Sequence, residues 1–464
     1  MRNHLLTTRA IRGTALLVAF ALGGCGLLNV ENPDNIPPED VENPQGLPAL
    51  HAGAIGDFSV AYGGDGPTGI EGQILVVGSF TDELGNSETF PTRKEYDQRA
   101  IDLKNGTLDG VFRTLQNARR SAEVAGDALT RLSATPTTDS RITETYALAG
   151  YSYVFMGENY CSGVPISNYN ASGDLEFGAP KTSTQLFEAA VALFDKGLAV
   201  QGSATTANLA KVGKARALLN LGRFADAAAA VAGVPITFTY NTTHTTAINR
   251  QQNGIFSLLN QAERFSVAER DGGNGLNFRS AQDPRVPWAR LPGTDVGFDN
   301  ATPQYDQGKY ANESAPIPVA NGVEAELIAA EVALRNGDAT TWLGKLNALR
   351  TNTALYPANF PAGFPAAFPA LQPLTDPGTA ADRVELMFRE RAFWLYLTAH
   401  RLGDLRRRIK FYNGTTAVFP GSGGAAYVID GNNKGGVFGT DVNLPVPFNE
   451  TNNPSFTGCL DRNP

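Results

Sequence analysis

Two stretches of the chain share a pattern that helical hairpins satisfy. Ala215 to Ala229 reads ARALLNLGRFADAAA, and Ala330 to Leu346 reads AEVALRNGDATTWLGKL. In each, a run rich in small residues stops at a glycine, Gly222 or Gly337, and a second run follows. A glycine just past a helix end takes the left-handed backbone conformation that other residues resist. The chain then turns back, and the second helix packs antiparallel on the first. Helical spacing recurs elsewhere. Ile142, Tyr146, Ala149, Tyr153 and Met156 form one apolar stripe, and further helices are predicted over 183–200, 207–220, 224–232, 322–336, 339–350 and 382–410. The last ends with Arg406, Arg407, Arg408 and Lys410, where cations suit the helix dipole. No sustained alternation of apolar and polar residues appears, so strands should be short and few.

The paired hairpins look like tetratricopeptide units, yet the strict repeat of such arrays is absent. The expected fold is therefore mostly α, a tetratricopeptide-like hairpin scaffold with long irregular loops and a few short β-strands. Two insertions interrupt it. One covers about 233–320, where Asp271-Gly272-Gly273-Asn274-Gly275 and the stretch from Asp295 to Tyr310 mix turn formers with aromatics. The other lies near 351–380, where Pro357, Pro361, Pro365, Pro369 and Pro373 fall four apart and forbid helix. Phe360, Phe364 and Phe368 are interleaved there, giving an apolar loop suited to packing or to partner contact.

The N-terminus carries a different signal. Arg2, Arg9 and Arg12 precede an apolar run from Ala15 to Leu22, and Gly23-Gly24-Cys25 follows. A basic start, a short apolar core and small residues before a cut site mark a secretory signal. The run is shorter than the ~20 residues a membrane span needs. A cysteine at the cut site is a bacterial lipobox, so residues 1–24 are expected to be removed and Cys25 to be acylated. Residues 25–48, rich in Asn and Pro, read as a tether, and 49–464 as one α domain. The protein is expected to be anchored to a membrane without crossing it.

Composition narrows the function classes. The net charge is −8 with only 18% charged residues, a poor match to nucleic acid, which wants a basic face. The mature chain holds His51, His244 and His400, none at metal-ligand spacing, and no HExxH, CxxC or GxSxG occurs. No metal or cofactor is therefore expected. The glycine clusters at 63–66, 271–275 and 421–424 lack the strand–helix context of a phosphate cradle. Glu390 and Asp404, 14 residues apart, read as members of a solvated or salt-bridged helix face rather than paired acid and base. Cys161 and Cys459 are expected to pair in an oxidising compartment, with two free thiols as the alternative.

Ordered fragments along the mature chain resemble the SusD/RagB family of outer-membrane nutrient-binding lipoproteins. They are Leu28-Asn29-Val30-Glu31-Asn32-Pro33, Phe80-Thr81-Asp82-Glu83, Ala147-Leu148-Ala149-Gly150-Tyr151 and Gly163-Val164-Pro165. Asp283-Pro284-Arg285, Lys309-Tyr310, Glu390-Arg391, Arg401-Leu402-Gly403-Asp404-Leu405 and Leu444-Pro445-Val446-Pro447 continue the series. The resemblance implies a helical platform with a shallow loop-built site. It also implies a lid on a TonB-dependent outer-membrane transporter that captures glycans or peptides and faces the cell exterior. The protein would then be a binder and not an enzyme. A surface hydrolase using unrecognised loop carboxylates, and a structural lid without a ligand, are the alternatives.

Shallow sites favour aromatic faces with amides and charges beside them. From the loops at 62–96 and 271–310, the expected platforms are Trp288, Tyr305 and Phe90, with Asn86, Asp82 and Arg290 as polar partners; a core plug is the alternative for Trp288, which follows Asp283-Pro284-Arg285. The three tryptophans are Trp288, Trp342 and Trp394, and the latter two fall on predicted helices. Replacing Cys25 by Ser should move the protein from the membrane to the soluble fraction. Complete retention in the membrane fraction would contradict the lipobox.

Overall fold

The computed structural model describes residues 43–463 except 67–68, 171–173, 294 and 366–367. The signal segment, Cys25 and most of the tether lie outside the described residues.

Helices carry the scaffold. Helix α1 (Leu47–Gly63), α2 (Gln73–Phe80) and α3 (Pro91–Gln98) come first, followed by α4 (Gly106–Leu132) and α5 (Ser140–Asn159). Next are α6 (Ser183–Leu198), α7 (Ala204–Asn220) and α8 (Phe224–Val231). The C-terminal half adds α9 (Gly322–Arg335), α10 (Ala339–Thr351), α11 (Ala380–Trp394) and α12 (Arg401–Phe411). Short polar side chains start most of them by accepting a first-turn N–H. Asn105 does so for α4, Asp139 for α5, Ser203 for α7, Asn321 for α9, Asp338 for α10 and Thr379 for α11. Helix α6 has the full capping box between Thr182 and Gln185.

Helices α1 and α4 to α8 pack each against the next, and α9 packs against α10. Both hairpin glycines are left-handed, Gly222 with φ 75° and Gly337 with φ 78°. The centre of the platform is aromatic. Tyr62 stacks on Phe155 at 5.4 Å, and Tyr151 meets Phe194 edge-on at 5.4 Å. Phe194 fits because Gly150 and Gly213 flank it: a β-carbon would come within 2.7 Å and 2.4 Å of its ring, respectively.

Several expectations are corrected. The helix predicted over 382–410 is two, α11 and α12, separated by residues 395–400, where Leu397 and Ala399 have φ of 50° and 56°. Arg406 and Arg407, expected to serve the helix dipole, are buried and engaged by other elements. Arg406 donates to the carbonyls of Gly157 and Tyr160, at 3.0 and 3.1 Å, and Arg407 binds Glu331. The 62–96 region holds helices α2 and α3, not one loop, and the expected tether ends early because α1 starts at Leu47. The 233–320 insertion contains short strand pairs, including Thr239–Thr242 with Ile317–Asn321. In the proline-rich segment Phe360 and Phe368 pack together at 5.5 Å, and all three phenylalanines are half-buried.

Cys161 and Cys459 form a disulfide with a Cα–Cα distance of 5.8 Å, tying the C-terminal tail to the end of α5. A β-carbon at Gly337 would meet open space, whereas one at Gly222 would lie 2.9 Å from the Phe411 ring. Gly337→Val should therefore cost only the left-handed strain, roughly 1–2 kcal/mol, and Gly222→Val should cost more. Thermal melts check the order, and equal melting temperatures would contradict the two geometries.

Candidate functional site

Above the helical platform lies a ribbon of short extended segments. Leu84–Asn86 pairs antiparallel with Phe265–Val267, so that Asn86 stands opposite Phe265. Val267 N–H donates to the Tyr305 carbonyl at 3.0 Å, and Tyr305 N–H donates to Ser266 Oγ at 2.8 Å. Asp306–Gln307 then pairs with Trp288–Ala289. Residues from three distant parts of the sequence are thereby placed side by side.

The turn after the first segment presents Phe90. Asn86 holds that turn: its amide donates to the Arg93 carbonyl at 2.8 Å, and its side-chain oxygen accepts Glu88 N–H at 2.6 Å. Glu88 is fully buried and binds the Arg93 and Arg264 guanidinium groups. Arg264 lies beneath two rings, 3.8 Å from the Phe298 centroid and 5.6 Å from that of Phe90. Phe298 N–H donates to the Glu263 carbonyl at 2.8 Å, fixing its segment to the same strand. Phe90 and Phe298 remain 51% and 39% exposed. Large apolar rings left in water on a braced backbone are what a ligand face requires.

A second aromatic pair lies further along the ribbon. Trp288 meets Tyr305 edge-on at 5.6 Å, and its indole N–H donates to the Arg279 carbonyl at 3.0 Å. The Arg279 guanidinium stacks 3.5 Å from the Tyr305 centroid and pairs with Asp430. Arg290 is exposed, lies 6.0 Å from the Tyr305 ring and donates to the Asp295 carbonyl at 3.2 Å. Asp430 belongs to a hairpin, Ala426–Ile429 with Asn432–Val437, whose Asn432 also donates to Thr302 at 2.8 Å. That hairpin and residues 268–273 enclose a cleft of about 380 Å³. Beneath it, buried Asp97 accepts bonds from Ser79 and Tyr427, and burial pushes its carboxyl up to about 7.

The structure thus separates the six expected site residues. Phe90 and Arg290 are exposed, Trp288 and Tyr305 are half-buried, and all four lie on the loop layer. Asp82 and Asn86 are corrected to structural roles, because both are buried and their side chains are engaged. Asp82 takes a two-pronged ion pair from Arg401 at 2.7 and 2.9 Å and accepts Leu276 N–H. Burial alone would raise its pKa, but the Arg401 charge together with the hydrogen bonds from Arg401 and Leu276 N–H holds it below the usual carboxylate range. Sequence reasoning missed Phe298, Arg264, Arg279 and the 426–437 hairpin. Phe298 lies in the aromatic 295–310 stretch and was in reach of the same argument, whereas the arginines matter through ion pairs and ring contacts to residues distant in sequence. Among the described residues no group of three His, Cys, Asp or Glu could hold a metal, and no helix is long and apolar enough to cross a membrane.

The whole architecture matches solved structures. A SusD superfamily protein from Parabacteroides distasonis superposes with a TM-score of 0.64 at 12% identity, covering 89% of this chain and 98% of that one. The fold is that of the SusD superfamily. A SusD superfamily protein from Bacteroides vulgatus gives 0.59 at 12% identity, with 90% and 99% coverage. A laminarin-binding SusD-like protein gives 0.60 at 15% identity, with 89% and 99% coverage. No family model matches the sequence, and no curated protein matches it.

Proposed function

We propose that this chain is a lipid-anchored nutrient-binding protein of the SusD/RagB family that captures oligosaccharides on its loop layer. The observation that carries the reading is the exposed pair Phe90 and Phe298, both seated on the Arg264 guanidinium. Flat rings of this kind bury the apolar face of a sugar at little entropic cost. Arg264 and the backbone bonds around it hold the rings before a ligand arrives, which lowers the cost of ordering them. The laminarin-binding relative supports a glycan over a peptide.

Binding is favoured over hydrolysis by the state of two loop carboxylates. Asp82 is held by Arg401 and Asp299 by Lys434, and both stay below the usual carboxylate range despite burial. A carboxylate held in this way is a poor proton donor near neutrality. In the same proposal Cys25 carries the anchor at the outer membrane. The ligand is handed to a TonB-dependent transporter on which the protein acts as a lid.

Calorimetry of the purified protein against laminarin-type and other neutral oligosaccharides tests the reading. Phe90→Ala and Phe298→Ala should each weaken binding by about tenfold or more, with little change in melting temperature. Trp288→Ala should instead cost roughly 2–3 kcal/mol of stability, because its ring is packed and its N–H bonded. Unchanged affinity in both phenylalanine variants would contradict this site.

A further inference from the structure

A smaller pocket, of about 200 Å³, lies where the end of α5, the start of α6, the last turns of α12 and the C-terminal tail meet. Thr182, Ser183 and Thr184, the N-cap and first two residues of α6, all line it. A helix start presents N–H groups and the positive end of the helix dipole. Here Thr182 and Gln185 close a capping box, and Ser183 N–H donates to Ser162 Oγ at 3.3 Å. The Thr184 N–H and the hydroxyls of Ser183 and Thr184 have no partner among the described residues.

The facing helix adds an independent observation. On α12, Arg401, Arg407 and Arg408 each take a carboxylate, whereas among the described residues Arg406 takes none. Its Nη1 donates to the carbonyls of Gly157 and Tyr160 at the end of α5. Its Nη2 has no partner among the described residues and, unlike Nε, is not sealed from solvent. The residue is only 8% exposed, so the pocket it lines is where that nitrogen meets water. Lys410, one turn further along α12, also lines the pocket, is exposed and makes no ion pair among the described residues. Of the acids in the lining, Glu158 is held by Arg216 at 2.6 Å, and Asp461 on the tail is left unpaired. Two cations against one acid leave the pocket one positive charge in excess.

We propose that this pocket binds a tetrahedral oxyanion, a sulfate or phosphate group, between Arg406 and Lys410 on one side and the first turn of α6 on the other. The free donors come from two helices, which suits three oxygens of a tetrahedral group better than a planar carboxylate. One excess positive charge matches a sulfate ester or a phosphate monoanion. Partial desolvation, and after it the Arg406 charge, lowers the Lys410 pKa, and an anion between the two relieves that repulsion. The source is a free inorganic ion or a sugar that carries the group. The inference stands without the glycan-binding reading and shares no residue with it.

The test is calorimetry on the full mature chain with sodium sulfate, sodium acetate and galactose 6-sulfate, at an ionic strength held constant with chloride. Sulfate should bind about tenfold tighter than acetate. Lys410→Met should weaken sulfate binding about tenfold, the loss of one charge-assisted hydrogen bond, and Lys410→Arg should retain most of it. Thr184→Glu places a carboxylate at an exposed position in the lining. An acid in the first turn suits the helix dipole, so this variant should keep its melting temperature and lose sulfate binding. Phe90→Ala should leave sulfate binding unchanged. Tighter binding of galactose 6-sulfate than of sulfate, retained in Phe90→Ala, names a sulfated sugar as the source, and otherwise the free ion is the source. No sulfate binding above the chloride background, acetate bound as tightly as sulfate, or a sulfate affinity unmoved by both Lys410→Met and Thr184→Glu overturns the proposal.

Discussion

Buried arginine–carboxylate pairs around α12 hold the molecule together as one object. Arg401 binds Asp82 and so fastens the helix to the start of the loop layer. Arg407 binds Glu331 on α9 and Asp404 on its own helix, while Arg391 on α11 binds Asp404 from the other side. Arg216 on α7 binds Glu158 on α5 at 2.6 Å. Each charge has given up water, and that penalty is recovered only in good geometry. Removing one partner strands the other, which typically costs 3–5 kcal/mol. The pairs therefore specify which element meets which.

This arrangement explains how irregular backbone can present a site. The loop layer has strands of two to six residues and little core of its own. Its rigidity is borrowed. Asp82 anchors its beginning to α12, Glu88 gathers Arg93 and Arg264 beneath Phe90 and Phe298, and Arg279 ties its far end to the 426–437 hairpin. Exposed rings on a braced backbone lose little freedom when a ligand arrives.

The helical platform was legible in the sequence because its signals are local. Apolar spacing, small-residue runs and the glycines at 222 and 337 placed α6 to α10 within a few residues. The break between α11 and α12 was not legible. It depends on Leu397 and Ala399 taking left-handed conformations that packing enforces. The candidate site was half legible. Aromatics and turn formers marked segments that form the loop layer, and Phe90 and Arg290 are exposed there. Asp82 and Asn86 looked like surface polar groups, since nothing local reveals Arg401, 319 residues away, as the partner of Asp82. Arg264 escaped notice for the same reason.

The central claim is that the Asp82–Arg401 pair couples a stable platform to the site it carries. Native-state hydrogen exchange on Arg401→Met measures this directly. The account predicts faster exchange at 82–90, 263–268 and 274–278 while amides in α4 to α7 keep their protection. Uniform loss of protection across the platform, or no change in the loop layer, would contradict it.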